Sequence, residues 1–386
     1  MLKNPKLLVL LSAGSLTTMA GGIVAPILPE MILHLDFDPA IAGIFVSIHC
    51  LTIALFSPPL GILADKVGRL RILVTMLVLY AIFGVAEALT DQLMPLLVMR
   101  GLLGAASGGI AAASLGLLGS MYEGEARSQA LGYATSALTL TGIAFPLLGG
   151  WVGSTHWQYV FYLYGLGLPL ALLAALILPD KQQLNVKSKE KDSTSVQLRN
   201  VLADQQTVRL LLALGLSSIS MYAVVIYAPI YLKETIGAGT MTNGIVLASR
   251  AIGAAAISAF TAKGLAKKIG VAQSIALGFG LMALALMTIP LLHQLSWILV
   301  TAVIFGCGFG LVLPNLYGAL ANLAPGQLKS SVLAAGTGAG FLGQFLSPVL
   351  LGPLLPYAGL EGVFYTAAGV ALASGFLLFL PGRQVT

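Results

Sequence analysis

Long apolar stretches separated by short polar segments dominate the pattern of this chain. A helix that crosses a bilayer needs about 20 mostly apolar residues, and twelve stretches meet this requirement. They are residues 7–33, 41–63, 71–90, 93–119, 129–151, 157–178, 207–232, 242–262, 272–292, 295–321, 329–355 and 361–381. A spanning segment must satisfy its own backbone hydrogen bonds, and these stretches lack the alternation of barrel strands. The pattern therefore predicts an all-α membrane protein with twelve transmembrane helices.

The only long polar segment lies in the middle of the chain, at residues 179–206. It predicts a cytoplasmic linker between an N-terminal six-helix bundle, residues 1–178, and a C-terminal six-helix bundle, residues 207–386. A short surface helix could lie within this linker. A solvated run of charges without a function of its own is the preferred interpretation.

The two halves repeat each other at a separation of 202 residues. The matching pairs are Leu63–Gly68 with Leu265–Gly270, Gly104 with Gly306, Gly108 with Gly310, Pro146 with Pro348, and Gly150 with Gly352. Two like-oriented halves imply a pseudo-two-fold axis along the membrane normal. Repeated halves of this kind are typical of membrane transporters. In those proteins the substrate binds near the midplane between the halves, which rock about it.

Composition excludes several classes of protein. Hydrophobic residues make up 58% of the 386 residues and charged residues only 9%, whereas soluble domains carry about 25% charged residues. This composition excludes an ordinary soluble enzyme, a disordered chain and a nucleic-acid binder.

Cys50 and Cys307 lie in apolar stretches without a CxxC pair or a metal-ligand cluster, so we expect neither a metal nor a cofactor. The chain also lacks a phosphate-binding GxxxxGK loop and a nucleophile–base constellation, which argues against an ATPase or another enzyme.

The positive charges predict the orientation. If the chain crosses the membrane twelve times, all but three of its 20 Lys and Arg residues fall on one side. The exceptions are Lys233 on the opposite side and Arg100 and Arg250 inside helices. Because Lys and Arg concentrate in cytoplasmic loops, we expect both termini to lie in the cytoplasm of a bacterial cell, with the chain in its inner membrane.

Four short segments resemble signatures of one transporter family. Residues 61–71, GILADKVGRLR, are similar to the loop between helices two and three of the major facilitator superfamily. Arg100 with the glycines that follow it resembles the fourth-helix signature, and residues 142–150, GIAFPLLGG, resemble the fifth-helix antiporter signature, with Phe145 in place of a glycine. Residues 26–29, PILP, resemble the end of helix one in twelve-helix drug:proton antiporters.

The resemblance implies a secondary active transporter that moves a small organic solute by alternating access, with proton-coupled export of a drug or metabolite as the favoured activity. Residues 7–29 contain no acidic side chain, although many drug:proton antiporters carry one in helix one. A metabolite importer or a facilitator without proton antiport therefore stays open. A non-transporting membrane sensor on the same fold is the alternative from another class. One chain is enough for the mechanism, so we expect a functional monomer in the lipid bilayer.

The loop signature predicts a conformational latch. Asp65 would pair with Arg127, or cap the eleventh helix near Ser330 and Ser331, because a helix N-terminus favours an anion. Gly61 and Gly68 would permit close helix approach and a tight turn, and Arg69 belongs to the same signature.

Polar residues inside the spans are candidates for the substrate cavity or for proton coupling, because a charge at the bilayer centre needs a partner or water. The charged or titratable candidates are Arg100, His49, Arg250 and Glu30. Glu87, near the end of the third helix, is expected at the membrane interface and is a further coupling alternative. In the family that the chain resembles, helices one, four, seven and ten line the cavity, which favours Tyr222 and Asn315 as ligand contacts, with Gln344 as a further candidate. Interhelical hydrogen bonding is the alternative role of these side chains.

Prolines and glycines complete the prediction. Pro146 and Pro348 remove helix hydrogen bonds and are expected to bend their helices. The glycines of the fourth and tenth helices are expected to serve helix packing alone, because small residues allow helices to approach closely in lipid.

Overall fold

A computed structural model describes residues 4–36, 38–179 and 191–378, and these residues form helices and short connections without a strand. Several predicted features lie outside the described residues. They are residues 180–190 of the linker, the end of the last apolar stretch, and the basic residues Lys3, Lys181, Lys187, Lys189 and Arg383. Within the described part of the linker, Lys191–Ala203 forms a helix.

Twelve transmembrane helices, named α1 to α12, follow one another along the chain. Their bounds are Pro5–Leu35, Pro39–Val67, Arg69–Leu89, Leu93–Met121, Gly124–Gly153, Tyr159–Ile177, Gln205–Ile236, Thr240–Phe260, Val271–Leu291, Leu295–Leu323, Lys329–Leu351 and Leu355–Leu377. The last two lie in one apolar run, Lys329–Leu377, which a short turn at Gly352–Leu354 divides. α11 has 23 residues and is about 35 Å long, enough to cross the apolar core of a bilayer. α12 is kinked at Gly359, whose φ of 63° and ψ of −170° are not helical, and its apolar part continues from there to Leu377. The prediction of twelve spanning helices is confirmed.

The helix ends follow from local sequence. Asp204 caps α7, because its side chain accepts hydrogen bonds from the backbone N–H groups of Gln206 and Thr207. Between α2 and α3 the chain turns at Gly68, whose φ of 116° favours glycine, and Gly270 adopts a similar φ of 95° before α9. α1 is interrupted near Pro26: a helix ends at Gly22 and a new one begins at Leu28.

The described helices separate into two compact units, Met1–Val186 with Gly239–Ile245, and Lys187–Ala238 with Val246–Thr386. In the first unit α1 packs against α4, α5 and α6, and α3 packs against α4 and α6. In the second unit α7 packs against α10, α11 and α12, and α9 packs against α10 and α12. The same pairs therefore meet in both bundles, as the repeat predicts.

Glycines in α4 and α10 set the closest contacts. A methyl group on Gly104 would stand 2.6 Å from Cα of His49 in α2. A methyl group on Gly306 would stand 2.9 Å from the backbone nitrogen of Ala254 in α8 and would also meet the carbonyl of Arg250. Both glycines are needed for backbone-to-backbone approach, so the packing role predicted for them agrees with the structure.

Candidate functional site

A buried ion pair lies inside the first unit. Nη1 of Arg100, on α4, is 3.1 Å from Oε2 of Glu87, at the end of α3, and both side chains have no exposed surface. The same nitrogen is 3.4 Å from Oε1 of Glu87. The structure thus gives Arg100 a carboxylate partner. Glu87 lies at the end of α3 with its side chain packed inside the bundle, and its level relative to the membrane interface stays a prediction.

Tyr164 of α6 connects this pair to α1. Its hydroxyl accepts a hydrogen bond of 2.7 Å from Nη1 of Arg100 and donates one of 2.9 Å to the carbonyl of Ala20. That carbonyl belongs to the last turn before α1 is interrupted, where a helix leaves carbonyl groups without partners from its own backbone. The network therefore runs from α3 through α4 and α6 to the interruption of α1.

Other aromatic and titratable groups surround Arg100. Its guanidinium lies 4.7 Å from the ring centre of Phe45 on α2, a cation–π distance. Tyr80 of α3 packs edge-on against Tyr164, with ring centres 5.4 Å apart, but its own hydroxyl donates to the carbonyl of Leu16. His49 of α2 is buried, interacts electrostatically with Arg100, and lies with Nε2 3.4 Å from the sulfur of Cys50.

These contacts revise the sequence prediction in part. Arg100 is fully buried, so it does not line a cavity as one of its two predicted roles requires. Its proton-linked role, and that of His49, stay predictions. The part played by Tyr164 was missed, because a tyrosine in an apolar helix gives no sign in the sequence of where its hydroxyl points.

A small apolar cleft of about 60 Å³ opens between α1, α4 and α5. Leu, Ala and Gly side chains form most of its wall, and Ser15, Thr17 and Ser114 add three hydroxyl groups. Each of these hydroxyls donates a hydrogen bond to a carbonyl of its own helix. The cleft is therefore apolar, with its hydroxyl groups engaged within their own helices.

Two of the predicted latch residues, Asp65 near the end of α2 and Arg69 at the start of α3, contact each other across the turn at Gly68. Asp65 forms an ion pair with Arg69 at 2.8 Å, and Arg69 also donates to the carbonyl of Gly116 in α4. The pair predicted between Asp65 and Arg127 is wrong. Arg127 instead lies against Gly119, where a Cβ atom would stand 3.2 Å from Nη2 of Arg127. Arg69 is four positions after Asp65, across the turn at Gly68, and pairs with it. Capping of α11 by Asp65 stays a prediction. Gly61 faces Ala112 of α4, where a Cβ would stand 3.5 Å from the Cβ of Ala112 in ordinary van der Waals contact, so the close helix approach expected at Gly61 stays a prediction.

Arg250 occupies the middle of α8 in the second unit, ten residues from either end of Thr240–Phe260. It is half-buried, and its Nε is buried without a hydrogen-bond partner. Tyr222 of α7, itself buried, interacts with it electrostatically. Neither of the ion pairs described above includes Arg250, which lacks a carboxylate partner among the described residues.

The remaining candidates are distributed over several helices. Asn315 of α10 donates to Ser274 of α9 at 3.3 Å and to the carbonyl of Leu311 at 2.8 Å, which is the interhelical role considered for it. Gln344 is half-buried on α11, and Glu30 lies in the last segment of α1. Ligand contacts by these residues stay predictions.

Both predicted bending prolines lie inside continuous helices. Pro146 is in α5 and Pro348 is in α11, and both are buried. The bending that we predict at these positions stays a prediction.

Two six-helix bundles that repeat each other are the architecture of a membrane transporter. The sequence matches the profile of the Major Facilitator Superfamily over residues 10–348, and again over residues 210–386. The chain therefore belongs to this superfamily.

Similar proteins agree with this assignment. The chain is 22% identical to the quinolone resistance protein NorA of Staphylococcus aureus, over 94% of this chain and 92% of that protein. It is 21% identical to the class B tetracycline resistance protein of Escherichia coli, over 88% of this chain and 87% of that one.

Solved structures share the fold at lower identity. A mutant of the nucleoside transporter NupG superposes with a TM-score of 0.79 at 14% identity, covering 97% of this chain and 98% of that chain. A bacterial homologue of the human lysosomal transporter Spinster superposes with a TM-score of 0.76 at 15% identity, covering 97% and 94%.

Proposed function

We propose that this protein exports a small organic solute across the bacterial inner membrane in exchange for protons. The observation that carries the proposal is the buried pair of Glu87 and Arg100. Glu87 is the only fully buried carboxylate among the side chains that the structure describes, and a membrane-embedded carboxylate that can gain and lose a proton is what coupling requires.

The pair offers a simple proton step. A proton that binds the carboxylate of Glu87 converts it to a neutral acid and leaves the charge of Arg100 uncompensated. Such a charge inside the bundle is unfavourable, which gives the protonated and deprotonated states different preferred arrangements. Arg100 holds Tyr164, and Tyr164 holds the carbonyl of Ala20, so the change would reach the interruption of α1.

His49 is a less suitable proton carrier than Glu87. A protonated imidazole beside Arg100 would place two positive charges close together, whereas a carboxylate is attracted to the guanidinium. We therefore assign proton coupling to Glu87 with Arg100, and leave His49 as part of the surrounding shell.

Export as the direction rests on several observations. The two relatives reported above are named for resistance to quinolones and to tetracycline, and the segments at residues 26–29 and 142–150 resemble antiporter signatures. If both termini lie in the cytoplasm, α3 ends at the outer side, and a proton from outside would reach the buried carboxylate of Glu87 when the bundle opens there.

The proposal is tested with purified protein in sealed vesicles, using norfloxacin and tetracycline as solutes without ATP. An imposed pH gradient should accelerate transport by the wild type. Glu87→Gln should abolish this acceleration while retaining exchange of labelled solute down its gradient. Asp91→Asn, an exposed acid four residues further on, is the matched control. Transport that is unaffected by pH in the wild type would exclude antiport.

A facilitator or importer is the second candidate, supported by the absence of an acid in residues 7–29 and by the nucleoside transporter of the same fold. Transport of a nucleoside such as uridine, with no effect of a pH gradient, would favour it. Binding of a solute without movement across the vesicle membrane would favour a sensor.

A further inference from the structure

The two arginines inside the membrane have different environments. Arg100 has Glu87 at 3.1 Å, whereas Arg250 has no carboxylate partner among the described residues. The sequence explains the difference, because residues 205–386 contain only two acidic side chains, Glu234 and Glu361. Both are exposed, one near the end of α7 and the other near the start of α12.

Packing of the bundle does not require a charge at position 250. The equivalent residue of the first half, 202 positions earlier, is Ile48 in α2. The close contact that α8 makes with Gly306 of α10 involves the backbone carbonyl of Arg250 rather than its side chain. An apolar residue would serve this contact equally well, so the guanidinium needs another explanation.

A charged side chain at the bilayer midplane is costly and marks a pathway for substrates or ions by default. In Arg250 the cost is not offset by a protein carboxylate, Nε is buried without a hydrogen-bond partner, and the residue remains half-buried rather than enclosed. An anion from outside the protein would supply the missing partner, and the planar donors of the guanidinium match a carboxylate in two-pronged geometry.

We propose that Arg250, with the hydroxyl of Tyr222 beside it, binds the carboxylate of an amphipathic organic acid. The inference rests on the proposed transport function and narrows its substrate class. The anionic or zwitterionic solute would neutralise Arg250 on binding. Its apolar part needs an apolar surface, which the many Leu, Val and Ala side chains of these helices provide.

The experiment compares acids with their uncharged esters. Benzoate, 1-naphthoate and norfloxacin, each paired with its methyl ester, are added to the purified full chain in detergent. Binding is measured by calorimetry and by the shift in unfolding temperature, which rises when a ligand binds only the folded state. In the wild type at least one acid should bind about 10-fold to 100-fold tighter than its ester, the range for a charge-assisted hydrogen bond.

Variants locate the effect. Arg250→Gln should remove the preference for the acid and leave binding of the ester unchanged, and Arg250→Lys should keep part of the preference. Lys263→Gln removes an exposed positive charge from the same half and is the matched control. Tyr222→Phe should weaken binding of the acid severalfold, since it removes the hydroxyl beside the guanidinium.

Several results would overturn the inference. They are equal binding of every acid and ester, no binding of any acid, an unchanged preference in Arg250→Gln, or the same loss in Lys263→Gln. Failure of this site is distinguishable from failure of the transport proposal. Transport of the neutral esters driven by a pH gradient, without preference for the acids, would uphold the transport proposal and reject the anion site. Binding of the acids without transport would uphold the anion site and reject the transport proposal.

Discussion

Glu87 and Arg100, on different helices and thirteen positions apart, form a fully buried ion pair with 3.1 Å between Nη1 and Oε2. Because burial removes both charges from water, each residue is tolerated only in the presence of the other. The pair therefore makes the stability of the first bundle and the proposed proton coupling depend on the same two side chains.

The first prediction concerns this mutual dependence. Glu87→Leu or Arg100→Met alone should lower the free energy of unfolding by about 3–5 kcal/mol, because each leaves an uncompensated buried charge. The double variant should recover most of this loss and should lack proton-coupled transport. Unfolding in detergent measures the stabilities. Single variants as stable as the wild type would show that Glu87 and Arg100 do not form a buried ion pair in the membrane-embedded protein.

The second prediction separates two neighbouring tyrosines. Tyr164→Phe and Tyr80→Phe each remove one buried hydroxyl and should each cost about 1–3 kcal/mol of stability. Only the first removes the contact with Arg100, since the hydroxyl of Tyr80 bonds to Leu16. Transport driven by a pH gradient should therefore fall in Tyr164→Phe and remain near normal in Tyr80→Phe. Equal losses in both variants would mean that only packing is affected.

The third prediction concerns Arg250. Removal of an uncompensated charge from the middle of α8 should raise stability, by up to about 2.5–3.5 kcal/mol on insertion scales. Arg250→Met should thus unfold at a higher temperature than the wild type in the absence of any ligand. The opposite outcome is expected for Arg100→Met, which serves as the comparison. A lower unfolding temperature for both would indicate that Arg250 also has a structural partner.

The fourth prediction tests the glycine contact between α2 and α4. Gly104→Ala should cost about 1–3 kcal/mol through overpacking, because its methyl group would stand 2.6 Å from Cα of His49. Gly101→Ala, one turn earlier, meets its nearest atom at 3.7 Å and should be tolerated. Expression level and unfolding temperature of the two variants provide the measurement, and similar behaviour would contradict the contact.

The fifth prediction concerns Asp65. Its ion pair with Arg69 leaves 46% of the Asp65 side chain exposed, and exposed pairs contribute at most about 1 kcal/mol. Asp65→Asn should therefore leave stability and solute binding nearly unchanged, whereas a latch role predicts slower turnover. Lys66→Gln, the neighbouring exposed residue, is the control. Turnover equal to that of the wild type would reject the latch.

The sequence by itself determined the spans, the repeat and the closest helix contacts. Apolar length is a direct consequence of bilayer thickness, and the predicted window 93–119 corresponds to a helix at Leu93–Met121. The twelfth predicted span, which starts at residue 361, agrees with the part of α12 that follows the kink at Gly359, whereas the segment from Leu355 to this kink was not predicted. Glycines 202 residues apart also revealed where backbones meet.

Only the tertiary structure decided which polar groups are partners. Arg100 and Arg250 look alike in the sequence, each a single arginine in an apolar helix, yet one is neutralised by Glu87 and the other has no carboxylate beside it in the described chain. Asp65 likewise pairs with Arg69 and not with Arg127. Helices surrounded by lipid and by other helices are apolar on nearly every face, so periodicity cannot show which face a polar side chain shares with a neighbour. That choice is made by the packing of the helices.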